Sequence, residues 1–291
     1  MDDFYTVDKK ISASDASLPI FARNTLNRCN FPAIILGSHL YQQYPEPIVV
    51  DGVEPLHRHF FQAVSAIESS SERALHFQQY MCSAFLLGKS EQAGLCDETC
   101  VVRREKLDYL RLLRGWMFNP DGIEAAVMKH WVESRFGLRT LNHGGLIAGE
   151  NSTESSEKNR LAYHRDFVRG LYNSNALEAQ LDLLYSYCQY EYQRRFVAQT
   201  HLSLYRGINR LNKHNQLGKT ELGHPLLLLN NLNSFTCDKE HADAFGDVIF
   251  ETLVPVTKLL YFPGLLPGVL QGESEYLVIG GVYQANVVNC F

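Results

Sequence analysis

The chain has no long apolar run, no surplus of basic residues and no paired-cysteine pattern, and each absence removes a class of function. Its 27 Lys and Arg are set against 32 Asp and Glu, a formal charge of −5 over 291 residues. Nucleic-acid binding through a broad basic surface is therefore excluded. The longest uncharged stretches, Cys29 to Pro45 and Tyr276 to Phe291, are broken by Pro, Gly, Asn and Gln and do not supply the ~20 apolar residues of a spanning helix. The opening MDDFYTVDKK is acidic and has no apolar h-region, so neither cleavage nor export is expected and the expected location is the cytoplasm. Seven cysteines, at 29, 82, 96, 100, 188, 237 and 290, are odd in number and scattered, the pattern of reduced thiols. Cys96 and Cys100 form one close pair, but the second Cys/His pair that a zinc finger needs is missing.

Familiar catalytic and nucleotide signatures are missing too. Gly88-Lys89-Ser90 and Gly218-Lys219-Thr220 look like the end of a phosphate loop, yet Ser83 and Lys213 occupy the positions where its first glycine belongs. There is no GxGxxG, GxSxG or HExxH, so a dinucleotide fold of Rossmann type, a serine hydrolase and a zinc protease lose their support. His57 and His59 lie at i and i+2, which do not share a helix face, and no metal is expected.

What is present is the composition of a folded protein, 45% hydrophobic and 20% charged. The length allows one large domain or two tightly joined ones. Residues 1–20 read as a flexible arm, 21–198 as a mainly helical part and 199–291 as a β-rich core. Within the first part, Phe31–Gly37 and Pro47–Val50 read as short strands. From Leu56 the apolar spacing becomes helical. The clearest helix starts at Asn175 as N-cap, with Leu177, Leu181, Leu184, Cys188, Tyr192 and Phe196 as its stripe, and runs to about Val197. Gly149–Asn159 has nothing apolar to bury and reads as an exposed loop. After residue 199, THLSLYRG, GDVIFETLVP, VTKLLYF, EYLVIGGVY and QANVVNC read as strands. One short helix, Asp238–Phe245, is capped by Thr236 or Asp238 and stopped by Gly246. Arg103, Arg104, Lys106, Arg111 and Arg114 against Glu105 and Asp108 predict a basic helix, either a solvated face or a docking surface for an acidic partner.

The informative residues lie near the C-terminus: Leu204-Tyr205-Arg206-Gly207 on one strand, Ser234-Phe235-Thr236 before the short helix, and Glu273-Ser274-Glu275 opening another strand. Singly, such an arginine is a surface ion-pair partner, such a serine a cap and Glu-x-Glu a solvated edge. In this order and placement they resemble the arginine, serine, glutamate signature of toxin-like mono-ADP-ribosyltransferases, which split NAD and place its ADP-ribose on an acceptor side chain. The Glu-x-Glu form is similar to that of the arginine-modifying members. FARNTLNRCNFPAIILGSHLY, DGVEPLHRHFF, YRGINRLN and GESEYLVIGG extend the resemblance over most of the chain, to the NAD-dinitrogenase-reductase ADP-D-ribosyltransferase family. The resemblance implies an α+β ADP-ribosyltransferase fold, a split mixed or antiparallel β-core beside a large helical part. It also implies NAD as substrate, the nitrogenase iron protein as acceptor, inactivated to switch nitrogen fixation off, and a PII-type nitrogen-signalling protein as partner. Phe235 departs from the wider class, many of whose members carry Thr between the two hydroxyl residues.

Breaking the nicotinamide–ribose bond builds positive charge on the anomeric carbon, which a fixed carboxylate stabilises. Glu275 is the candidate, and the resemblance also gives it the ribose 2′-OH. Glu273, two residues away, shares its strand face at roughly 6.6 Å along the chain, far enough to orient an incoming guanidinium and accept its proton late. Arg206 shares strand parity with Leu202 and Leu204 and so points to the packed side, where a buried cation needs an anion such as the NAD pyrophosphate. Gly207 lets backbone approach the nicotinamide carboxamide, Thr236 joins the NAD-binding set, and Tyr205 or Phe245 packs on the nicotinamide ring. By resemblance, Ser234 aims Glu275. Two other readings stand: an NAD glycohydrolase, against which Glu273 argues, and a catalytically inactive NAD-binding regulator, against which Arg206, Ser234 and Glu275 argue.

Overall fold

Helices occupy the first two thirds of the chain and strands the last third. The computed structural model describes residues 17–89, 107–149, 153–172, 174–208, 215–243, 245–246, 248–268 and 274–288. The helices of the first part are α1 (Ala33–Leu36), α2 (His39–Gln43), α3 (Val53–Leu56), α4 (Arg58–Ser65), α5 (Ser70–Ala84), α6 (Tyr109–Phe118), α7 (Ile123–Phe136), α8 (Glu154–Leu171) and α9 (Leu177–Arg195). Side chains close several of their free N-termini. Asp108 Oδ1 accepts from the Arg111 amide at 2.8 Å, and Thr153 and Ser156 bond each other's amides at 3.2 and 2.8 Å, leaving fewer backbone donors unpaired.

Three local expectations are corrected. FPAIILG does not form a strand: Pro32 is the N-cap of α1 and Gly37 its C-cap, a one-turn helix seated between proline and glycine. Cys29 and Val50 make only an isolated bridge. The polar segment expected as a loop to Asn159 becomes helical at Glu154, because the Thr153–Ser156 capping box starts α8. Asn175 does not cap α9. Ala176 precedes that helix in the left-handed region, φ 49°, while the Asn175 side chain donates to Phe85 O and its carbonyl accepts from Gln180 Nε2 at 2.7 Å. The expected arm lies largely outside the described residues, as do Cys96, Cys100 and residues 103–106.

α9 is the axis of the helical part. Its predicted stripe is buried as far as Tyr192, but Leu183, Tyr185 and Tyr187 are buried as well, so the helix is enclosed on nearly every side. Buried polar side chains on it must then find partners inside the protein. Gln189 donates to Leu259 O at 2.7 Å and Tyr185 to Thr257 O at 2.7 Å. Glu191 binds Arg73 of α5 through two bonds of 2.6 and 2.7 Å and accepts from Arg195 at 2.6 Å. Asp182 binds Arg135 of α7 in the same two-pronged way, at 2.7 and 3.0 Å, and takes the Trp131 indole at 2.7 Å.

The strands are β1 (His201–Ile208), β2 (Asn215–Lys219), β3 (Pro225–Thr236), β4 (Val248–Pro255), β5 (Leu259–Tyr261), β6 (Glu275–Gln284) and β7 (Asn286–Val288), with α10 (Lys239–Asp243) after β3. They form one sheet in the order β5-β6-β3-β1-β4-β7, with β2 added beside β3. Every pairing between them is antiparallel, and with the helices this makes an α+β protein. The sheet curls until β4 meets β6: Thr252 Oγ1 donates to Gln284 O at 2.6 Å. Gln42 of α2 closes that seam, donating to Thr252 Oγ1 at 3.0 Å and Leu253 O at 2.9 Å and accepting from the Gln284 amide at 2.7 Å.

β3 is the central strand, and periodicity did not single it out. LLLLNNLNSFT is buried on both faces, so it lacks the apolar-polar alternation of a half-buried strand. Its register against β6 shifts between Leu229 and Leu232. Asn230 and Asn231 use that irregularity to hold the helical part. Asn231 Nδ2 donates to Lys129 O at 2.8 Å, and Asn230 Oδ1 accepts from the Leu141 amide at 2.9 Å.

Candidate functional site

β1 and β3 touch through one register pair, Tyr205 with Thr236, whereas β1 runs with β4 over its whole length. β1 and β3 are thus joined at a single rung and diverge beyond it. Divergence frees β3 backbone groups that a continuous ladder would have used, and side chains take them up. Arg206 Nη1 donates to Ser234 O at 2.6 Å. Trp116, from the buried face of α6, donates its indole N–H to Ser234 Oγ at 2.9 Å.

Register settles which candidate residues lie together. Glu251, Tyr205, Thr236 and Glu275 form one row across β4, β1, β3 and β6, and directly paired residues share a face. Arg206 belongs to the next row, opposite Phe250, and points to the other side of the pleat. It turns toward the packed side, as its parity with Leu204 requires. Its guanidinium lies 5.8 Å from the Phe235 ring, which meets Phe250 edge-on at 6.0 Å. Phe235, the position that departs from the wider class, is therefore part of the apolar wall beside Arg206.

Enclosure sets the electrostatics. Burial pulls the Arg206 pKa down to about 10, while the nearby Glu275 carboxylate acts in the opposite direction. The Arg206 Nε is buried and has no hydrogen-bond partner among the described residues. Lys129 of α7 is buried behind it, held by Asp121 at 3.1 Å and Asn142 O at 3.0 Å, with Nζ 5.7 Å above the Trp116 ring. Burial brings the Lys129 pKa down to about 8, Asp121 opposes that, and the charge of Arg206 lowers it further. Two enclosed cations thus share this end of the sheet, and one of them has an unused donor.

The remaining candidates are placed as follows. Gly207 makes a close contact with α10: a Cβ there would lie 2.0 Å from Ala242 O, so the short helix rests on bare backbone. Thr236 is buried and its Oγ1 accepts from the Asp238 amide at 3.1 Å, while Asp238 Oδ1 takes the Glu240 amide at 2.9 Å. Asp238 rather than Thr236 caps α10, which spans Lys239–Asp243 within the expected 238–245. Phe245, just beyond it, is 64% exposed and packs edge-on against His241. Tyr205 is half-buried in the row of Glu275. Glu273 lies outside the described residues. Arg111 and Arg114 lie on the exposed face of α6 with Phe118. Asp108 is committed to the cap of that helix.

Trp116 and Lys129 were not among the residues singled out from sequence. The spacing of Tyr109, Leu112, Leu113 and Trp116 puts the indole on a buried helix face, but nothing local ties it to a serine 118 positions away.

Comparison with known proteins identifies the family. The chain is 35% identical over 263 residues to the NAD(+)--dinitrogen-reductase ADP-D-ribosyltransferase of Rhodospirillum rubrum, covering 89% of this chain and 93% of that protein. No solved structure matches. A sequence profile for dinitrogenase reductase ADP-ribosyltransferase matches residues 26–287, from before α1 to the last strand. By this profile match over most of its length and by that identity, the chain belongs to the dinitrogenase reductase ADP-ribosyltransferase family.

Proposed function

We propose that this protein splits NAD at the divergence of β1 and β3 and transfers the ADP-ribose to an arginine of dinitrogenase reductase, inactivating it, and that the divided sheet is an ADP-ribosyltransferase core. One observation carries the reading: Arg206 lies half-buried beside an aromatic wall, its Nε enclosed and unpaired among the described residues, while Glu275 stands one strand row away. An enclosed cation with a spare donor is suited to a phosphate oxygen, which would supply both the charge and the missing bond. Glu275 then faces the sugar, where its carboxylate stabilises the positive charge that develops as nicotinamide leaves. Tyr205 shares its row and Phe245 exposes a ring at the end of α10, so either offers a surface to the nicotinamide ring. Thr236, paired with Glu275, and Gly207 complete the NAD-binding set. The bond to the departing pyridine nitrogen breaks with its electron pair going to nicotinamide. The acceptor nitrogen then bonds the anomeric carbon and its proton passes to base, a task we assign to Glu273.

The same reading takes a PII-type signalling protein as the regulatory partner and the cytoplasm as the location. NAD hydrolysis is the competing activity, in which water replaces the guanidinium. Labelled NAD incubated with the protein and dinitrogenase reductase separates the two. Label is expected on one arginine of the reductase, and Glu273→Gln is expected to lower that transfer by ~10² or more while nicotinamide release to water continues. If Glu273→Gln lowers neither reaction, arginine as the acceptor is wrong; label on no polypeptide leaves a glycohydrolase.

A further inference from the structure

Ser234, which the family resemblance sets beside Glu275, has its hydroxyl oxygen and its carbonyl both engaged. A serine hydroxyl rotates freely and can donate one proton and accept two. An indole N–H only donates. The 2.9 Å bond from Trp116 Nε1 therefore fixes Ser234 Oγ as its acceptor and leaves the hydroxyl proton for another group. Ser234 O is held at the same time by Arg206 at 2.6 Å, so the residue is gripped at both polar ends.

Register supplies the receiver. Ser234 pairs with Leu277 and Thr236 with Glu275, which puts Glu275 on the diagonal from Ser234, at about 7–8 Å between Cα atoms in such sheets and within reach of a long side chain. A carboxylate only accepts. We infer that Trp116 is a positioning residue that sets the direction of a hydrogen-bond chain, from indole N–H to Ser234 hydroxyl to Glu275 carboxylate, and so presents the carboxylate to the ribose. The inference rests on the transferase reading and deepens it.

The indole is itself well fixed. Trp116 is 2% exposed, and the Lys129 ammonium stands 5.7 Å above its ring. α6 lies so close to the start of α7 that a Cβ on Gly115 would fall 2.4 Å from Glu124 Cγ. Gln180 Oε1 of α9 anchors the first turn through the Tyr109 amide at 3.0 Å. The helical part of the molecule thereby reaches the reacting end of the sheet through one nitrogen.

Trp116→Phe keeps an aromatic ring and deletes the donor. Steady-state nicotinamide release from NAD is measured for wild type, Trp116→Phe, Ser234→Ala and the double variant, with a thermal midpoint for each. The expected result is a fall in kcat of about tenfold for Trp116→Phe, the effect of one lost hydrogen bond, with KM for NAD within about twofold. In the Ser234→Ala background the same change is expected to have no further effect. Benzothienylalanine at position 116, which replaces N–H by sulfur in an almost unchanged bicyclic shape, is expected to reproduce the fall and guards against a phenylalanine variant that does not fold. An unchanged kcat in either variant overturns the inference, as does an equal loss with and without Ser234. A wild-type protein that releases no nicotinamide overturns the transferase reading itself, and this inference with it.

Discussion

Two enclosed arginines, Arg73 in the helical part and Arg206 in the sheet, show how differently one side chain is used in the two halves of the molecule. Arg73 joins α5 to α9. Its Nε and Nη2 grip Glu191, and Nη1 donates to Ile67 O at 2.9 Å and Glu68 O at 2.7 Å. The hydrogen bonds to Glu191 hold its pKa above the ordinary arginine value. Among the described residues Arg206 donates to one backbone carbonyl and lies on a ring face, its Nε is unmatched, and burial lowers its pKa against the opposing charge of Glu275. The first arginine is compensated by its own chain and cements two helices. The second has a donor that no described residue takes up, the donor that the proposed NAD phosphate would engage.

The largest effect that would sharpen this contrast belongs to the helical pair. Glu191 is drawn below the ordinary carboxylate range because its bonds to Arg73 and Arg195 outweigh the opposing effect of burial. Glu191→Ala, which abandons both arginines, is expected to cost about 3–5 kcal/mol in urea unfolding. It should leave NAD affinity within a few-fold under conditions where the variant is folded. Glu275→Gln is expected to behave in the opposite manner: nicotinamide release falls by ~10² or more, while NAD binding and the thermal midpoint stay near wild type. Wild-type turnover in that variant would remove Glu275 from the chemistry.

A smaller effect falls on Arg206 itself. Arg206→Ala is expected to weaken NAD binding by about tenfold or more, the value of a charge-assisted hydrogen bond, and to change folding stability by less than ~1 kcal/mol, because little compensation is lost. A stability loss matching that of Glu191→Ala would erase the distinction between the two sites.

A further effect is read against pH and concerns Lys258, buried with Gly280 O as its hydrogen-bond acceptor among the described residues, at 2.9 Å, and the rings of Tyr41 and Tyr283 at 5.4 and 4.9 Å. Burial lowers its pKa from 10.5 to about 7. Between those values the unfolded chain binds more protons than the folded one, so this lysine makes stability rise with pH from about 7 to 10.5. Lys258→Met is expected to flatten that rise in unfolding curves taken across the same window. An unchanged slope would mean that Lys258 stays charged in the folded protein.

Legibility from sequence divides along the same line as the arginines. The facing of Arg206 was readable because strand parity is local: Arg206 follows Leu202 and Leu204, and β1, β4 and β6 appear within a few residues of where alternation puts them. The short helix after β3 was marked by Asp238 and Gly246. β3 itself was not, since uniform burial hides a central strand. FPAIILG shows β-branched residues overruled by the proline and glycine around them, and the start of α8 shows a polar segment made helical by its cap. Trp116 was out of reach for another reason: its value depends on tertiary contact alone.

The single rung between β1 and β3 has a mechanical consequence. An ordinary antiparallel pair of this length opens only by breaking its ladder, a loss comparable with unfolding the element. Here the two half-sheets meet at the rung of Tyr205 with Thr236, at one guanidinium laid across the gap, and at the far seam where Thr252 and Gln42 reach Gln284. Parting at that rung would leave the hydrogen bonds within each half in place, with the β4–β6 seam as the fixed edge. A dianionic guest bridging the gap would act as a strut against that parting.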